Sequence, residues 1–380
     1  MADETDLILE EIEARIKEEY ERAIKEITEK LNKHFAAFAQ KDKGRREALK
    51  NGEITKEQYQ NWRMGQLAVG RRWEEMRDQI ALDFANANQI ANSIVSGYMP
   101  EVYAVNFNYG TFMCEVGSRV DTSFTLYNAE AVERLVRDNP KLLPDPGKKT
   151  AERIASGQEQ LWEKKKIQSS LIQSIIQGED VYKIASRLAQ SVGDSDYKAA
   201  IRNARTATTS AQNGGLADSF KRAENMGIKV KKTWLATLDG RTRHAHRQLD
   251  GVTIPVDDYF ENEFGKIKQP GDMSADPRNL WNCRCTMIAT VEGHERNVRG
   301  FELRNDPDLD GMTYEEWKDA RGKEPLFKKA KNERADREQF LRYKKMKLEG
   351  FPASFKEFQN MKYYQTDKWN EFKKKARKGK

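Results

Sequence analysis

The sequence predicts an α+β protein that is mainly α, and three observations carry that expectation. Apolar residues recur at steps of three and four over long stretches at both ends and in the middle of the chain. One stretch, 229–294, switches to short alternating β-prone runs bounded by turn residues. The balance of 38% hydrophobic against 33% charged residues over 380 positions suits long amphipathic helices with wide solvated faces more than one compact globule.

The elements follow in order. Ile8, Ile12, Ile16, Tyr20, Ile24, Ile27, Leu31 and Phe35 line one stripe of a long first helix whose opposite face is charged. Gly52 stops it. Thr55 and Gln58 then have the spacing of a capping box, opening a second helix through Trp62, Leu67, Trp73, Met76 and Ile80 to about residue 95. Two helices joined by a short polar loop make a hairpin. Around "MPEVYAVNFNYGTFMCEVG" the pattern turns aromatic, with Gly and Pro interruptions. Asn128 caps a helix over 129–137. "NPKLLPDPG" holds three prolines and reads as a linker. Three helical segments follow, at 150–177, 180–189 and 196–226, with Gly214 and Gly215 inviting a kink or break in the third.

In 229–294, "KVKKTWLATLDG", "GVTIPVDDYF" and "CRCTMIATVEG" are short strands, so a small sheet with long loops packs on the preceding helices. "DLDGMTYEEWKDA" opens a further helix. The expected division is a helical N-terminal hairpin region at 1–139, a Pro-rich linker at 140–149, an α+β domain at 150–295 and a helical, basic C-terminal extension at 296–380.

Composition also removes function classes. No run approaches the roughly 18 apolar residues of a membrane span. The acidic opening "MADETDLILEE" lacks the basic start of a signal peptide, so synthesis in a cytoplasm is expected. Three cysteines make no disulfide framework. The phosphate-binding loop GxxxxGK[ST], a GxGxxG after a strand, HExxH and GxSxG are all missing. With four histidines, one of them His34 in the hairpin, acid–base constellations have few members to draw on.

The chemistry-bearing residues sit in two patches. In "NLWNCRCTM", Cys283 and Cys285 project to one face if the segment is a strand, because side chains i and i+2 share a face. In "DGRTRHAHRQLDG", His246 or His244 can approach those thiols. Thiolates and imidazole are the ligands zinc prefers, and a structural zinc site usually takes four. The fourth would come from His244, Asp239, Asp250 or Asp272. The tight CxxC turn of many zinc sites is missing. The alternative is packing: two small buried cysteines, with Asp239, Arg241, Arg243 and Asp250 forming a polar network that ties the loop to the sheet.

The order W-x-A-x-x-D-x-R-T-R-x-x-H-x-x-L-D-G, from Trp234 to Gly251, followed by "QPGDMSADPRNLWNCRC", resembles the signature of the Mu F-like minor head proteins, the head-morphogenesis family of tailed double-stranded DNA bacteriophages. Trp234, Asp239, Arg241, Thr242, Arg243, His246, Asp250 and Gly251 match the first block. Pro270, Gly271, Asp272, Asn282, Cys283, Arg284 and Cys285 match the second. The lead-in "IIQGEDVYKIASRL" and "ARTATTSAQNGG" also fits, although Ala207 stands where the family often has an acidic residue. The specific motifs cover about 170–292, and "MTYEEWKDA" and "FPASFKEFQNMKYY" are similar to C-terminal extensions of some phage members. The resemblance implies a low-copy structural protein in the virion, at the interior or portal vertex of the head, with portal, coat or scaffold protein as partners. The competing class is an enzyme, a metal-dependent nuclease or nucleotide-modifying activity around Asp239, His246, Cys283 and Cys285.

The last feature is charge. From 327 to 380 there are 18 Lys/Arg against 7 Asp/Glu, so the net charge of +7 lives in this tail and the rest of the chain is slightly acidic. Its lysines alternate with aromatics, among them Phe340, Tyr343, Phe351, Phe355, Phe358, Tyr363, Tyr364, Trp369 and Phe372. These either stack on unpaired bases or form a helical core. The closing "KKKARKGK", with Lys373, Lys374, Lys375, Arg377, Lys378 and Lys380, is expected as a flexible arm for sequence-independent contact with packaged double-stranded DNA or with an acidic protein surface.

Overall fold

The computed structural model describes residues 4–177, 179–292, 313–320, 333–346, 350–352, 354–364 and 366–378. Three long helices, α1 (Glu4–Lys50), α3 (Arg71–Ser118) and α7 (Val181–Asn225), pack along one another and form the body of the molecule. The mainly α, α+β expectation holds.

The stripe on α1 is the reason it packs. Ile8, Ile12, Ile16, Tyr20, Ile27, Leu31 and Phe35 are all buried against α3 and α7. At roughly 1.5–3 kcal/mol per large apolar side chain, this face holds the helix where intrinsic propensity alone would not. Helix α2 (Lys56–Leu67) opens on the expected capping box: Gln58 N donates to Thr55 Oγ1 at 3.1 Å, and Thr55 N donates to Gln58 Oε1 at 2.9 Å.

The expected second helix to residue 95 is two. It stops after Leu67, and Gly70, at φ +107°, starts α3. Helix α3 then runs on through Pro100 to Ser118, past the expected end near residue 95. An internal proline costs a helix about 3 kcal/mol. Burial of Val102, Tyr103, Phe107, Phe112 and Val116 beyond it outweighs that cost.

The expected helices at 180–189 and 196–226 are likewise one helix, α7, and Gly214 and Gly215 do not break it. Gly215 is there for close approach. A Cβ at this position would lie 2.5 Å from Tyr103 O and 2.9 Å from Phe107 N on α3. Gly193 plays the same part against Ile24 of α1.

Asn128 caps α4 (Ala129–Asp138) as expected, accepting from Ala131 N at 2.9 Å. The 140–149 stretch is only partly a connection, because α5 (Pro146–Ala155) starts inside it, capped by Asp145 and laid with Gly147 against Ser93 of α3. Helix α6 (Gln158–Ile176) follows. One apolar cluster contains Ile8, Val95, Phe107, Phe220, Trp234 and Val291, so the N-terminal helices share a core with the region after 150.

Where helices α1, α3, α6 and α7 meet, a polar group of side chains is buried. Tyr20 Oη donates to Asn88 Oδ1 at 2.6 Å, Asn88 Nδ2 donates to Glu159 Oε1 at 3.1 Å, and Lys166 Nζ donates to Glu163 Oε1 at 2.7 Å and also to Asp196. Burial, then the neighbouring Asp196 carboxylate, pushes the Glu163 carboxyl up to about 8. An acid with a folded pKa above its unfolded one holds its proton more tightly when folded. Its stabilisation is therefore complete below the ordinary carboxylate range and is lost as pH rises through about 8. We expect the melting temperature to fall by several degrees across that window, and Glu163→Gln to flatten the fall. Equal slopes in thermal melts of the two proteins would contradict this.

The β region folds as expected. Strands β1 (Val230–Leu235), β2 (Thr253–Pro255) and β5 (Thr286–Val291) make an antiparallel sheet of order β2-β1-β5, and β3 (Phe260–Asn262) with β4 (Gly265–Ile267) make a separate hairpin. Trp234 pairs with Met287 and Thr233 with Ile288. Thr233 Oγ1 lies 2.8 Å from Thr253 Oγ1 and 2.7 Å from Thr290 Oγ1, linking all three strands. The sheet rests on α3 and α7 through Val230, Met287 and Val291.

Downstream, the helix Tyr314–Ala320 returns to α3, where Trp317 Nε1 donates to the buried Glu115 Oε2 at 2.9 Å. The helices Glu333–Lys345, Phe355–Tyr364 and Thr366–Lys378 bury Phe340, Phe358, Trp369 and Phe372 in a cluster of their own. Those aromatics are therefore helix core and not base-stacking groups. The arm expected at "KKKARKGK" is corrected too. Lys373, Lys374, Lys375, Arg377 and Lys378 continue the helix that carries Trp369 and Phe372, while Lys380 lies outside the described residues. No helix among the described residues is long and apolar enough to cross a membrane.

Candidate metal centre

The two sequence patches meet at the end of the sheet. After β1 the chain makes a polar loop and then one helical turn, α8 (His244–Arg247), before returning to β2. Local bonds set this path. Asp239 Oδ1 accepts from Arg241 N at 2.9 Å and Thr242 Oγ1 at 3.0 Å, and Arg247 Nη2 donates to Asp239 O at 2.7 Å. Asp250 Oδ1 accepts from Ala236 N at 2.9 Å, so the carboxylate closes the base of the loop. Gly251 turns the chain at φ +77°, and its N–H reaches Trp234 O at 2.9 Å. The left-handed backbone here favours glycine.

The second patch is pinned to α7. Gly271 packs so closely that a Cβ would lie 2.8 Å from Ser210 N. Asp272 accepts from Lys268 N at 2.9 Å and Ser274 N at 2.8 Å, and Asp276 caps the turn α9 (Pro277–Leu280). Asn282, at φ +55°, adopts the left-handed conformation that asparagine tolerates better than most residues. Its N–H donates to Thr206 Oγ1 at 3.2 Å. Thr209 Oγ1 then donates to Cys283 O at 2.7 Å, and Asn213 Nδ2 to Cys285 O at 3.1 Å. Thr206, Thr209 and Asn213 lie at i, i+3 and i+7 on one face of α7 and form a polar ladder that holds the cysteine segment, which lies just before β5 rather than within the expected strand. They were not singled out from sequence. Their signal is polar side chains at helical spacing within "ARTATTSAQNGG".

This scaffold brings three side chains to one point. His246 Nδ1 is 3.6 Å from Cys283 Sγ and 3.5 Å from Cys285 Sγ. His246, Cys283 and Cys285 are 2%, 1% and 2% exposed. Trp234 covers the imidazole edge-on with centroids 5.5 Å apart, and Phe260 backs the indole at 5.1 Å. His246 Nε2 is buried with no hydrogen-bond partner. The hydrogen bond from Cys285, and then His246, hold the Cys283 thiol well below the usual range. Cys285 is pushed up because it donates that proton and is itself buried.

The other residues considered as a fourth ligand are turned to other work. Asp239 forms a two-pronged pair with Arg284, at 2.6 and 2.7 Å, which holds its carboxyl well below the usual range. His244 is exposed, with Nε2 3.1 Å from Gln248 Nε2. Asp250 and Asp272 bind backbone N–H groups. Among the described residues, His246, Cys283 and Cys285 are the group that converges as metal ligands. A polar network is present, with partners other than those expected: Asp239 pairs with Arg284 and takes the Arg241 backbone N–H, Arg243 donates to Trp281 O, and Asp250 accepts from Ala236 N. Ligand geometry and polar scaffold therefore coexist in different residues.

Comparison with known proteins follows the same residues. The family described as phage Mu protein F like protein matches residues 165–288, from within α6 through β5. The minor head protein GP7 of Bacillus phage SPP1 is 26% identical over 320 residues, covering 82% of this chain and 93% of that protein. An NAD(+)–arginine ADP-ribosyltransferase of Enterococcus faecalis, EFV, is 29% identical over 210 residues, covering 54% of this chain and 40% of that protein. An uncharacterized protein of Haemophilus influenzae is 28% identical over 154 residues, covering 40% of this chain and 31% of its own length. The chain thus spans less than half the length of two of these three relatives. No solved structure matches. The matched segment takes in the motif residues and the scaffold that holds them, so the likeness to the phage Mu protein F like family falls on the stretch from α6 into β5.

Proposed function

We propose that this protein is a minor head protein of a tailed bacteriophage, a structural component required for head morphogenesis. The observation that carries the reading is the extent of the SPP1 match, which runs over 82% of this chain and 93% of a protein named for that role. Resemblance confined to one motif would not carry a whole-protein role; this one takes in most of both chains. An in-frame deletion of the gene in the phage tests it. Loss of infectious particles, with aberrant or unfilled heads restored by a copy in trans, is the expected result. Normal heads at normal titre would overturn the proposal.

The enzyme alternative, a nuclease or nucleotide-modifying activity at His246, Cys283 and Cys285, has little geometric support. All three groups are enclosed, and Asp239 is paired with Arg284 away from them. The activity named for the Enterococcus relative is that protein's own, since the match takes in 40% of it. A structural role fits the tightly bonded, closed site better.

Within the head, we place the protein at the interior or portal vertex, with portal, coat or scaffold subunits on its helical faces. Leu7 on α1, Leu82 and Ile90 on α3, and Leu161, Trp162 and Ile176 on α6 are large apolar side chains left exposed, which is the material of a partner contact. The basic C-terminal helix would face packaged DNA through Lys373, Lys374 and Lys375, neutralising phosphates without reading sequence. Replacing these three lysines by glutamate should weaken binding to duplex DNA at low salt by about tenfold or more and lower its salt dependence. Unchanged affinity of the full chain in a gel-shift titration would contradict the DNA contact while leaving the head role standing.

A further inference from the structure

The geometry points to a zinc-class metal centre built from His246, Cys283 and Cys285, a buried clamp that fastens the α8 turn to the start of β5. Spacing is the first argument. Zinc–sulfur bonds of about 2.3 Å and a zinc–nitrogen bond of about 2.05 Å, at tetrahedral angles, set sulfur and nitrogen about 3.6 Å apart. The two Nδ1–Sγ separations are 3.6 and 3.5 Å. One ring nitrogen has a single lone pair or a single proton, so it cannot form full hydrogen bonds to both sulfurs at once. Near-equal distances to both are what a shared cation would set.

Enclosure is the second argument. Thiols alone are buried readily as small apolar groups, but enclosing a polar imidazole nitrogen between them without compensation is unfavourable. Two thiolates and a neutral imidazole around a divalent cation make a site of no net charge, which removes most of that cost. Packing alone would be served as well by three apolar residues.

Preorganisation is the third. Thr209 and Asn213 hold the carbonyls of Cys283 and Cys285, the Arg284–Asp239 pair locks the intervening residue outward, and Trp234 braces the imidazole. The ligands come from two segments nearly forty residues apart, so a metal here cross-links the loop to the strand. Two sulfurs and one imidazole select a thiophilic transition metal over magnesium or calcium, which need oxygen ligands. With three protein ligands, the fourth vertex is left to a water molecule or another small donor.

The test uses the full-length protein, purified without chelator and analysed for metal by mass spectrometry. The centre predicts zinc at one equivalent per chain. Cobalt(II) added to reduced, metal-stripped protein should give the intense visible absorption and sulfur charge-transfer band of a tetrahedral thiolate site. Cys283→Ser and Cys285→Ser should each abolish that band, while Cys114→Ser keeps it. Background zinc in the wild-type protein together with no cobalt–thiolate band on titration would overturn the centre. So would a band that survives both serine variants or disappears with Cys114→Ser. Should the serine variants fail to fold, the wild-type titration alone decides, because its band and stoichiometry need no variant.

Discussion

Replacing Gly215 by alanine should destabilise the protein by about 2 kcal/mol or more, whereas the same change one residue earlier, Gly214→Ala, should leave stability unchanged or raise it by up to about 1 kcal/mol. The two glycines are neighbours inside the last third of α7 and look alike in sequence. Alanine is favoured over glycine inside a helix by about 1 kcal/mol, and this gain applies to both. At Gly214 the added carbon meets nothing closer than Gln269 Nε2 at 3.7 Å and the Tyr103 ring at 3.8 Å, ordinary contact distances. At Gly215 it would sit 2.5 Å from Tyr103 O and 2.9 Å from Phe107 N. Those are backbone atoms of α3, which cannot swing aside as a side chain can. Relief requires the two longest-packed helices to separate, losing contact along the core. Denaturant melts of the two variants check this. Shifts of the same sign and size would show that α3 and α7 do not approach as described.

Trp234→Ala should cost about 3–5 kcal/mol, the range for removing a large aromatic side chain from a packed core. Trp234 is fully enclosed on the central strand and touches both His246 and Phe260. Its loss opens a void beside the imidazole and loosens the hairpin of β3 and β4. Proteolysis within the β region should therefore quicken while the long helices stay protected. Trp281, at 40% exposure, is the matched control. Its ring lies over the Arg202 guanidinium at 5.7 Å, a contact worth roughly 0.5–1 kcal/mol at an exposed site, and Trp281→Ala should fall within that. Comparable losses for both tryptophans in denaturant melts would contradict the burial pattern.

What the sequence reveals and what it hides divides along physical lines. The stripe of α1, the capping box at Thr55 and the Asn128 cap are local signals, and the structure has all three. The alternating runs became β1, β2 and β5, while Cys283 and Cys285 lie in the chain just before β5 and still both approach His246. Breaks were misjudged wherever tertiary packing decides. Pro100 sits inside α3 because the residues beyond it are deeply buried, and Gly215 sits inside α7 because a second helix lies close. Neither fact is written in a local window. Asp239, Asp250 and Asp272 carry the right atoms for a ligand, yet each is committed to a turn or an ion pair that depends on the folded path. The polar ladder of Thr206, Thr209 and Asn213 escaped notice because its partners are backbone carbonyls and an N–H group some seventy residues away. The lysine-rich end read as a free arm because its anchors, Trp369 and Phe372, precede it on the same helix.

The central claim is that this chain is a structural part of a phage head, and particle composition tests it most directly. Proheads and mature heads would be purified through a density gradient and their proteins quantified by mass spectrometry against the coat protein. The account predicts this chain in both particles, resistant to washing and in low copy relative to coat. Its absence from washed particles, while abundant in the same infected-cell lysate, would contradict the account.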